Sequence, residues 1–299
     1  MSDNKPKPTR TKEELLEHWK NKKLLISDTN KVLETIARHN YYRLSGYAKY
    51  FYNKERNFIK ETSFDDIYNL YLFDGELRSL IQNLTEEIEL NFRSYIASYI
   101  ADNFGPLGYL DSTNFFDSDH HKDFDDIVKI KVNQYKDKPF IKWNTEHHGS
   151  DLPIWILVEI LSFTNLSMLY SNLIIEDQKN IIFRNYSSRA VTSNAIDVKD
   201  WIHSICDVRN ICAHYEKLFN LNSIWLKMPK EYKSEKNNTL FALLLICKEL
   251  ILDELKWTKF IQDLDYIINK YNIKISYLSG FSPDWRNRLK KIRKVKWNL

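Results

Sequence analysis

The feature that most constrains this fold is an apolar pattern that continues for about forty residues without a proline. Apolar residues recur three or four positions apart, which is the spacing of one helix face. Ser63 suits the N-cap of this segment, and Gly105-Pro106 stops it. The sequence therefore predicts one helix over roughly 63–103, the longest of the chain. Its apolar positions are Leu70, Phe73, Leu77, Leu80, Leu84, Ile88, Phe92 and Ile96.

The composition agrees with a helical fold. Only six of the 299 residues are Gly and seven are Pro, so long segments lack turn-forming residues, and we predict an all-α fold. Thr11 and Glu14 form a capping box that opens a first helix, and Pro153 opens a central helix that runs through Glu159. Further helices are predicted at 29–39, 123–136, 176–185, 194–218, 239–254 and 257–271, with a polar linker at 136–150.

Charge and cysteine content narrow the class of protein. The net charge of +4 is compatible with an RNA partner but does not indicate one. Cys206, Cys212 and Cys247 lie in apolar helical contexts without a C-x-x-C pair, so we expect reduced core thiols. The N-terminus lacks an apolar signal, and the longest apolar run is far shorter than the roughly 20 residues of a membrane span. We expect a cytoplasmic protein that does not cross a membrane.

The segment from Trp201 to Asn220 carries the residues that are best suited to catalysis. Its apolar stripe predicts a helix, and Arg209 lies roughly 80° from the centre of that stripe. Four polar residues lie on the opposite face, where solvent-facing helices usually carry Lys and Glu. The stripe is Trp201, Ile205, Val208, Cys212, Tyr215 and Phe219, and the polar face is His203, Asp207, Asn210 and His214.

Three of these residues suit cleavage of an RNA backbone by its own 2′-OH, a reaction that requires no metal. His214 could take a proton from the 2′-OH or give one to the leaving oxygen. Arg209 could stabilise the charge that develops on the scissile phosphate, and Asn210 could orient His214 or the phosphate. We expect no metal and no cofactor at this site.

The spacing of the motif favours a homodimer. Along one helix, Arg209 and His214 differ by a rise of about 7.5 Å and by roughly 140° in azimuth. Two copies that face each other across a two-fold axis would bring an Arg and a His from each chain into one cleft. The alternative is structural, with Arg209 in a salt bridge and Asn210 as a cap. A metal site is disfavoured because His203 and Asp207 lack a third ligand, and His120 and His121 lie in an acidic loop.

Two other regions combine basic and aromatic residues. The last sixteen residues carry seven Lys or Arg, which we interpret as an RNA-binding segment, with a solubilising tail as the alternative. The aromatic block at 41–52 could stack bases, but packing between helices explains it as well. Glu159 is either a paired charge, with Arg93 or Arg209 as the suggested partner, or a site residue. The candidate RNA contacts are Arg286, Arg288, Lys290, Lys291, Arg293 and Lys294, followed by Lys296.

Four sequence blocks, in order, resemble the Abi-like bacterial proteins of phage abortive infection, the AbiD/AbiF group with a HEPN fold. The resemblance implies an all-α HEPN-like helical bundle, a role in phage defence, and RNA as substrate or ligand, including a structured non-coding RNA. It puts Arg209 and His214 on the motif positions of the family. The blocks are HNYYRLSGYAKYF at 39–51, IELNFRSYIASYIADNFGPLGYLD at 88–111, LPIWILVEILSFTNLSMLY at 152–170 and VRNICAHYEKLFN at 208–220.

These observations predict three segments. Residues 1–60 form an N-terminal helical and aromatic extension, 61–273 the helical bundle, and 274–299 a basic C-terminal segment. The leading hypothesis is a dimeric, metal-independent endoribonuclease in antiphage defence. The alternatives are a non-catalytic binder of a structured RNA, and a scaffold whose polar face contacts a protein.

Overall fold

The computed structural model describes residues 9–187 and 189–291. Helices dominate these two ranges, which contain isolated β-bridges but no strand, and the all-α prediction is confirmed. The α-helices are α1 (Lys12–Asn21), α2 (Thr29–His39), α3 (Tyr41–Ala48), α4 (Phe64–Phe104), α5 (Ser118–Tyr135), α6 (Pro139–His148), α7 (Ile154–Leu157), α8 (Phe163–Asn172), α9 (Ile175–Tyr186), α10 (Val198–Ala213), α11 (Leu240–Leu250), α12 (Glu254–Lys270) and α13 (Trp285–Lys290).

The long predicted helix is α4, and its start and end have local causes. The Ser63 hydroxyl accepts from the Asp66 backbone N–H at 3.2 Å, and the Asp66 carboxylate accepts from the Ser63 N–H at 2.8 Å. This reciprocal pair satisfies two N–H groups that would otherwise lack a partner. Gly105 follows the helix with a φ of +82°. The predicted apolar positions are buried except Leu80, which is half-buried.

The first of two compact units contains the described residues up to Glu76 together with Tyr266–Lys274. The Trp19 ring lies against the rings of Tyr41 and Phe64, with centroid distances of 4.8 and 5.9 Å. Tyr47 is buried and donates its hydroxyl to Asp74 at 2.8 Å. Tyr47 and other members of the aromatic block thus pack inside this unit, which favours packing over base stacking for much of the block.

The second unit contains Leu77–Asp265 and the described residues from Ile275 onward. Helix α8 packs against α5 and α10, and every residue of α11 is buried. The Arg189 side chain is buried and donates to the Lys248 and Ile251 carbonyls at the end of α11. These carbonyls lack partners within the helix, so Arg189 caps α11 and fixes the segment before α10 against it.

Helix α5 begins earlier than the sequence predicts. The Asp117 carboxylate accepts from the backbone N–H groups of Asp119 and His120 at 2.9 and 3.0 Å, and these bonds lower the pKa of Asp117. This N-cap places His120 and His121 in the helix rather than in an acidic loop. The His121 ring is buried, with its Nε2 atom 2.9 Å from the Tyr109 carbonyl oxygen.

Two predictions between residues 136 and 160 are wrong. The predicted polar linker contains α6, which Pro139 opens at the first helical position, where its missing N–H costs nothing. The predicted central helix is α7, which ends at Leu157 after one turn and leaves Trp155 and Glu159 exposed. Ser162 then caps α8, because its hydroxyl accepts from the Asn165 N–H at 3.2 Å. A new N-cap therefore interrupts an apolar run that reads as one helix.

Two further expectations can be checked. Cys206, Cys212 and Cys247 are buried and form no disulfide, as predicted. Within the part of the chain that the structure describes, no helix combines the length and apolar character that crossing a membrane requires.

Candidate active site at the end of helix α10

Helix α10 ends at Ala213 rather than at the predicted residue 218, and a specific turn ends it. His214 is the C-cap, and Tyr215 has a φ of +58°, in the left-handed region. The Glu216 N–H donates to the Ile211 carbonyl at 3.0 Å, and the Tyr215 N–H donates to the Cys212 carbonyl at 3.1 Å. This pair of bonds is a Schellman motif, which usually has Gly at the left-handed position. Because that position holds Tyr, the sequence gives no sign of the helix end.

The turn changes which residues face the core. Cys212, at the end of the apolar stripe, is buried, but Tyr215 is 67% exposed instead of continuing the stripe. His214 is also exposed, while its N–H still donates to the Asn210 carbonyl at 2.9 Å. His214 is therefore one residue beyond the last helical residue and keeps a helix-like backbone bond. Of the other members of the polar face, His203 and Asp207 are exposed and Asn210 is half-buried.

Arg209 belongs to a group of three charged side chains that joins α10 to α4. One Glu89 oxygen accepts from Arg209 Nη2 at 3.2 Å, and the other accepts from Arg93 Nη2 at 2.9 Å. We call Arg93, Glu89 and Arg209 the arginine–glutamate triad. Arg93 also donates to the Leu161 carbonyl at 3.1 Å, and Arg209 to Asn210 Oδ1 at 3.2 Å.

The triad is most buried at its centre. The side chains of Arg93 and Glu89 are 12% and 13% exposed, whereas that of Arg209 is 32% exposed. Two guanidinium groups and one carboxylate leave one net positive charge. Glu89 and Asn210 fix the orientation of Arg209, and the exposed part of its guanidinium group can still donate to an anion.

The sequence did not predict Glu89 as a partner of Arg209. The suggested pairing of Glu159 with Arg93 or Arg209 is wrong, because both arginines form ion pairs with Glu89 and Glu159 is exposed. A sequence signal for half of the triad exists, since Glu89 and Arg93 are four residues apart on one helix face. The other half joins positions 120 residues apart in sequence, and periodicity does not encode such a pair.

Cys206 lies one helical turn before Arg209 on the buried side of α10. Burial raises the pKa of its thiol to about 12, and the nearby carboxylate of Glu89 adds to that rise. The thiol is therefore neutral at physiological pH, so Cys206 has the properties of a packing residue and lacks those of a nucleophile.

The predicted basic segment is only partly available to a ligand. Arg286 Nε donates to Asp265 at 2.8 Å, and Arg288 forms an ion pair with Glu235. The Arg288 guanidinium also lies 4.5 Å from the centroid of the Phe241 ring. Lys290 and Lys291 are exposed. The remaining candidates, Arg293, Lys294 and Lys296, lie outside the described residues.

His203 Nε2 lies 3.9 Å from Asp207 Oδ2. Across the described residues, no three or more His, Cys, Asp or Glu side chains are grouped so that they could hold a metal ion. The two histidines of α5, His120 and His121, are thus not part of such a group, and Asp117 contacts the first of them as a helix cap.

Comparison with known protein families gives a match over more than half of the chain. A family model described as Abi-like protein matches residues 34–220, more than half of the chain, and this range includes Glu89, Arg93, Arg209 and His214. No curated protein matches the chain. No solved structure matches it either.

Proposed function

We propose that this chain, which belongs to the Abi-like protein family of abortive-infection defence, is a metal-independent endoribonuclease of the HEPN type. Its substrate is RNA in the cytoplasm. The observation that carries the proposal is the arrangement at the end of α10. Arg209 is held at the surface by Glu89 and Asn210, and His214 is exposed five residues later, at a turn that fixes its backbone.

The roles follow from the chemistry of each side chain. His214 takes the proton of the 2′-OH or supplies one to the leaving 5′-oxygen, a contribution of roughly 10²- to 10⁴-fold. Arg209 binds the scissile phosphate and stabilises the charge that forms in the transition state. The Asn210 side chain holds Arg209 in place, which replaces the predicted contact with His214 or the phosphate.

A homodimer completes this site. Arg209 and His214 leave α10 in directions roughly 140° apart if the helical rotation continues to the C-cap. A two-fold axis beside the end of α10 would place the His214 of one copy opposite the Arg209 of the other. This part of the proposal predicts a dimer by light scattering at micromolar concentration, with and without RNA, and a monomer under both conditions would contradict it.

A second candidate is a non-catalytic binder of a structured RNA. The observation that favours it is the exposed pair Lys290 and Lys291, which can contact phosphates but supplies no group for proton transfer at the site. A binder of this kind needs Arg209 and the exposed Lys290 and Lys291 for phosphate contacts, and it does not need a proton donor at position 214.

The test is cleavage of single-stranded and hairpin RNAs in EDTA by wild type, His214→Ala and His203→Ala, with binding measured in parallel. His203 is the matched control, because it is an exposed histidine of the same helix. We expect wild type and His203→Ala to cut, and His214→Ala to bind RNA with a cleavage rate lower by 10²-fold or more. Equal cleavage by His214→Ala contradicts the catalytic role, and binding without cleavage by all three supports the second candidate.

A further inference from the structure

A cleft of about 460 Å³ lies beside the arginine–glutamate triad, and the proposed reaction does not use it. Helix α4 contributes several small side chains to the cleft together with Arg93, and Trp155 of α7 and Glu159 after that helix also line it. Its volume is within the range of roughly 300–1,000 Å³ that is usual for small-ligand sites. The lining residues used below are Arg93, Ser94, Ala97, Ser98, Trp155 and Glu159.

Trp155 gives the cleft an exposed aromatic surface. Its side chain is 52% exposed although it follows a buried residue, Ile154, and it makes no ring contact with any residue that the structure describes. Ala97 and Ser94 of α4 leave space at the cleft because their side chains are short. An exposed indole beside such space suits a planar ligand, since nucleic-acid bases stack on aromatic side chains.

Glu159 gives the cleft a hydrogen-bond acceptor. Its side chain is exposed, and its carboxylate has neither a hydrogen bond nor an ion pair with residues 9–187 or 189–291. A carboxylate only accepts hydrogen bonds, through two oxygens. Guanine presents two adjacent donors on its Watson–Crick edge, N1–H and N2–H, which match these oxygens. Uracil presents one N–H between two carbonyl oxygens, which a carboxylate repels.

Arg93 connects the cleft to the proposed reaction site. It lines the cleft, and it shares the Glu89 carboxylate with Arg209. A ligand in the cleft is therefore separated from Arg209 by one ion-paired group. One RNA strand that enters the cleft could therefore place a neighbouring phosphate at Arg209.

We propose that this cleft is a base-binding subsite for single-stranded RNA, in which Trp155 stacks the base and Glu159 selects guanine. The inference rests on the proposed function for its substrate class, because Arg209 is taken to hold the neighbouring phosphate. It adds a sequence preference and two specificity-determining residues to a site that otherwise contacts only the backbone of the RNA.

The test is the affinity of full-length protein for fluorescent RNA octamers that are uridine except for one central position, which is G, C, A or U. We expect wild type to bind the G octamer roughly tenfold more tightly than the all-U octamer. Trp155→Ala should weaken binding of the G octamer roughly tenfold. Glu159→Gln should keep most of the affinity for the all-U octamer but lose the preference for G. The matched controls are Trp225→Ala and Glu86→Gln, which alter other exposed residues of the same types.

Three results overturn the inference. The first is a wild-type affinity that does not depend on the central base, and the second is a preference for G that survives Glu159→Gln. The third is a Trp155→Ala variant that is monomeric where wild type is dimeric, because the cleft would then be an interface between copies. Cleavage is scored separately in the same samples. If RNA is cut by a His214-dependent route without base preference, the subsite fails and the proposed function stands. If G-selective binding occurs without cleavage, the nuclease fails and the subsite stands.

Discussion

Helix α10 and helix α13 both carry arginines that the sequence suggests as RNA contacts, but these arginines have different partners in the structure. At the end of α10, Arg209 is a third exposed, and Glu89 and Asn210 hold it at the surface. In α13, Arg288 lies between Glu235 and the face of Phe241, and Arg286 is paired with Asp265. The arginines of α13 attach their helix to the rest of the unit.

The difference teaches that a basic residue in a sequence is not equivalent to an available charge. The side chains of Arg286 and Arg288 are 39% and 27% exposed, close to the 32% of Arg209, so exposure alone does not distinguish the two helices. An RNA phosphate must compete with contacts already made at each of these arginines. The carboxylate partners differ more, because Glu89 is 13% exposed whereas Asp265 and Glu235 are 34% and 24% exposed, so Arg209 is anchored to the most buried of the three carboxylates.

The largest effect is expected for Glu89→Ala. The change leaves Arg93 and Arg209 close together without the carboxylate that separates them, and Arg93 is almost fully buried. Removing one partner from a buried ion pair usually costs 3–5 kcal/mol, and the partial exposure of Arg209 reduces this to about 2–4 kcal/mol. The measurement is urea unfolding followed by circular dichroism, with Glu86→Ala as the exposed control on α4. A loss below about 0.5 kcal/mol would show that the triad does not fix α10 to α4.

The next largest effect is expected for Arg288→Ala, which should lower the free energy of unfolding by about 1–2 kcal/mol. The loss combines the contact with Phe241 and the half-buried pair with Glu235. If α13 attaches through Arg288 as the contacts indicate, RNA affinity of the folded variant should change little. A variant as stable as wild type with tenfold weaker RNA binding would reverse the contrast between the two helices.

A smaller effect, of opposite sign, is expected for Tyr215→Gly. A left-handed backbone costs a residue with a Cβ atom roughly 1 kcal/mol that glycine does not pay, so the variant should be more stable by about 0.5–1 kcal/mol. Tyr215→Ala is the control, since it removes the same ring without relieving the backbone. Thermal unfolding compares the two variants, and equal stability would mean that the turn after His214 is not strained.

The smallest effect on stability is expected for Lys290→Ala combined with Lys291→Ala, because both side chains are exposed. The free energy of unfolding should stay within about 0.5 kcal/mol of wild type. RNA affinity should fall, and the slope of log affinity against log salt should decrease by roughly 1–2 if both lysines contact phosphates. An unchanged slope would assign these lysines to solubility, which is the alternative that the sequence left open.

Much of the helical structure could be predicted because local patterns determine it. Helix α2 has the predicted bounds, and the capping boxes at Thr11 and Ser63 begin their helices as expected. The stretch from Lys136 to Ser162 could not be predicted equally well. Pro139 begins a helix inside a polar segment that reads as a linker, and Ser162 begins a new helix inside an apolar run that reads as one helix. In both places a local helix start outweighs the average composition of the segment.

The candidate site could be predicted in part. The spacing of Arg209, Asn210 and His214 predicts a site, and the structure places all three at the end of α10, with His214 exposed and the other two half-buried. The sequence patterns do not identify Glu89 as a site residue, although one of the four sequence blocks contains it. The end of the helix was placed too late, because tyrosine at a left-handed position gives no glycine signal.

Local spacing was enough to predict that this chain is helical and which face of its longest helix is buried. These properties depend on apolar residues spaced three and four positions apart, a pattern that is local in the sequence. Which charges are already paired depends on long-range packing, because Glu89 meets Arg209 across 120 residues and Glu235 meets Arg288 across 53. Such pairs form when helices pack, and the free energy of packing depends on the whole unit rather than on any local pattern.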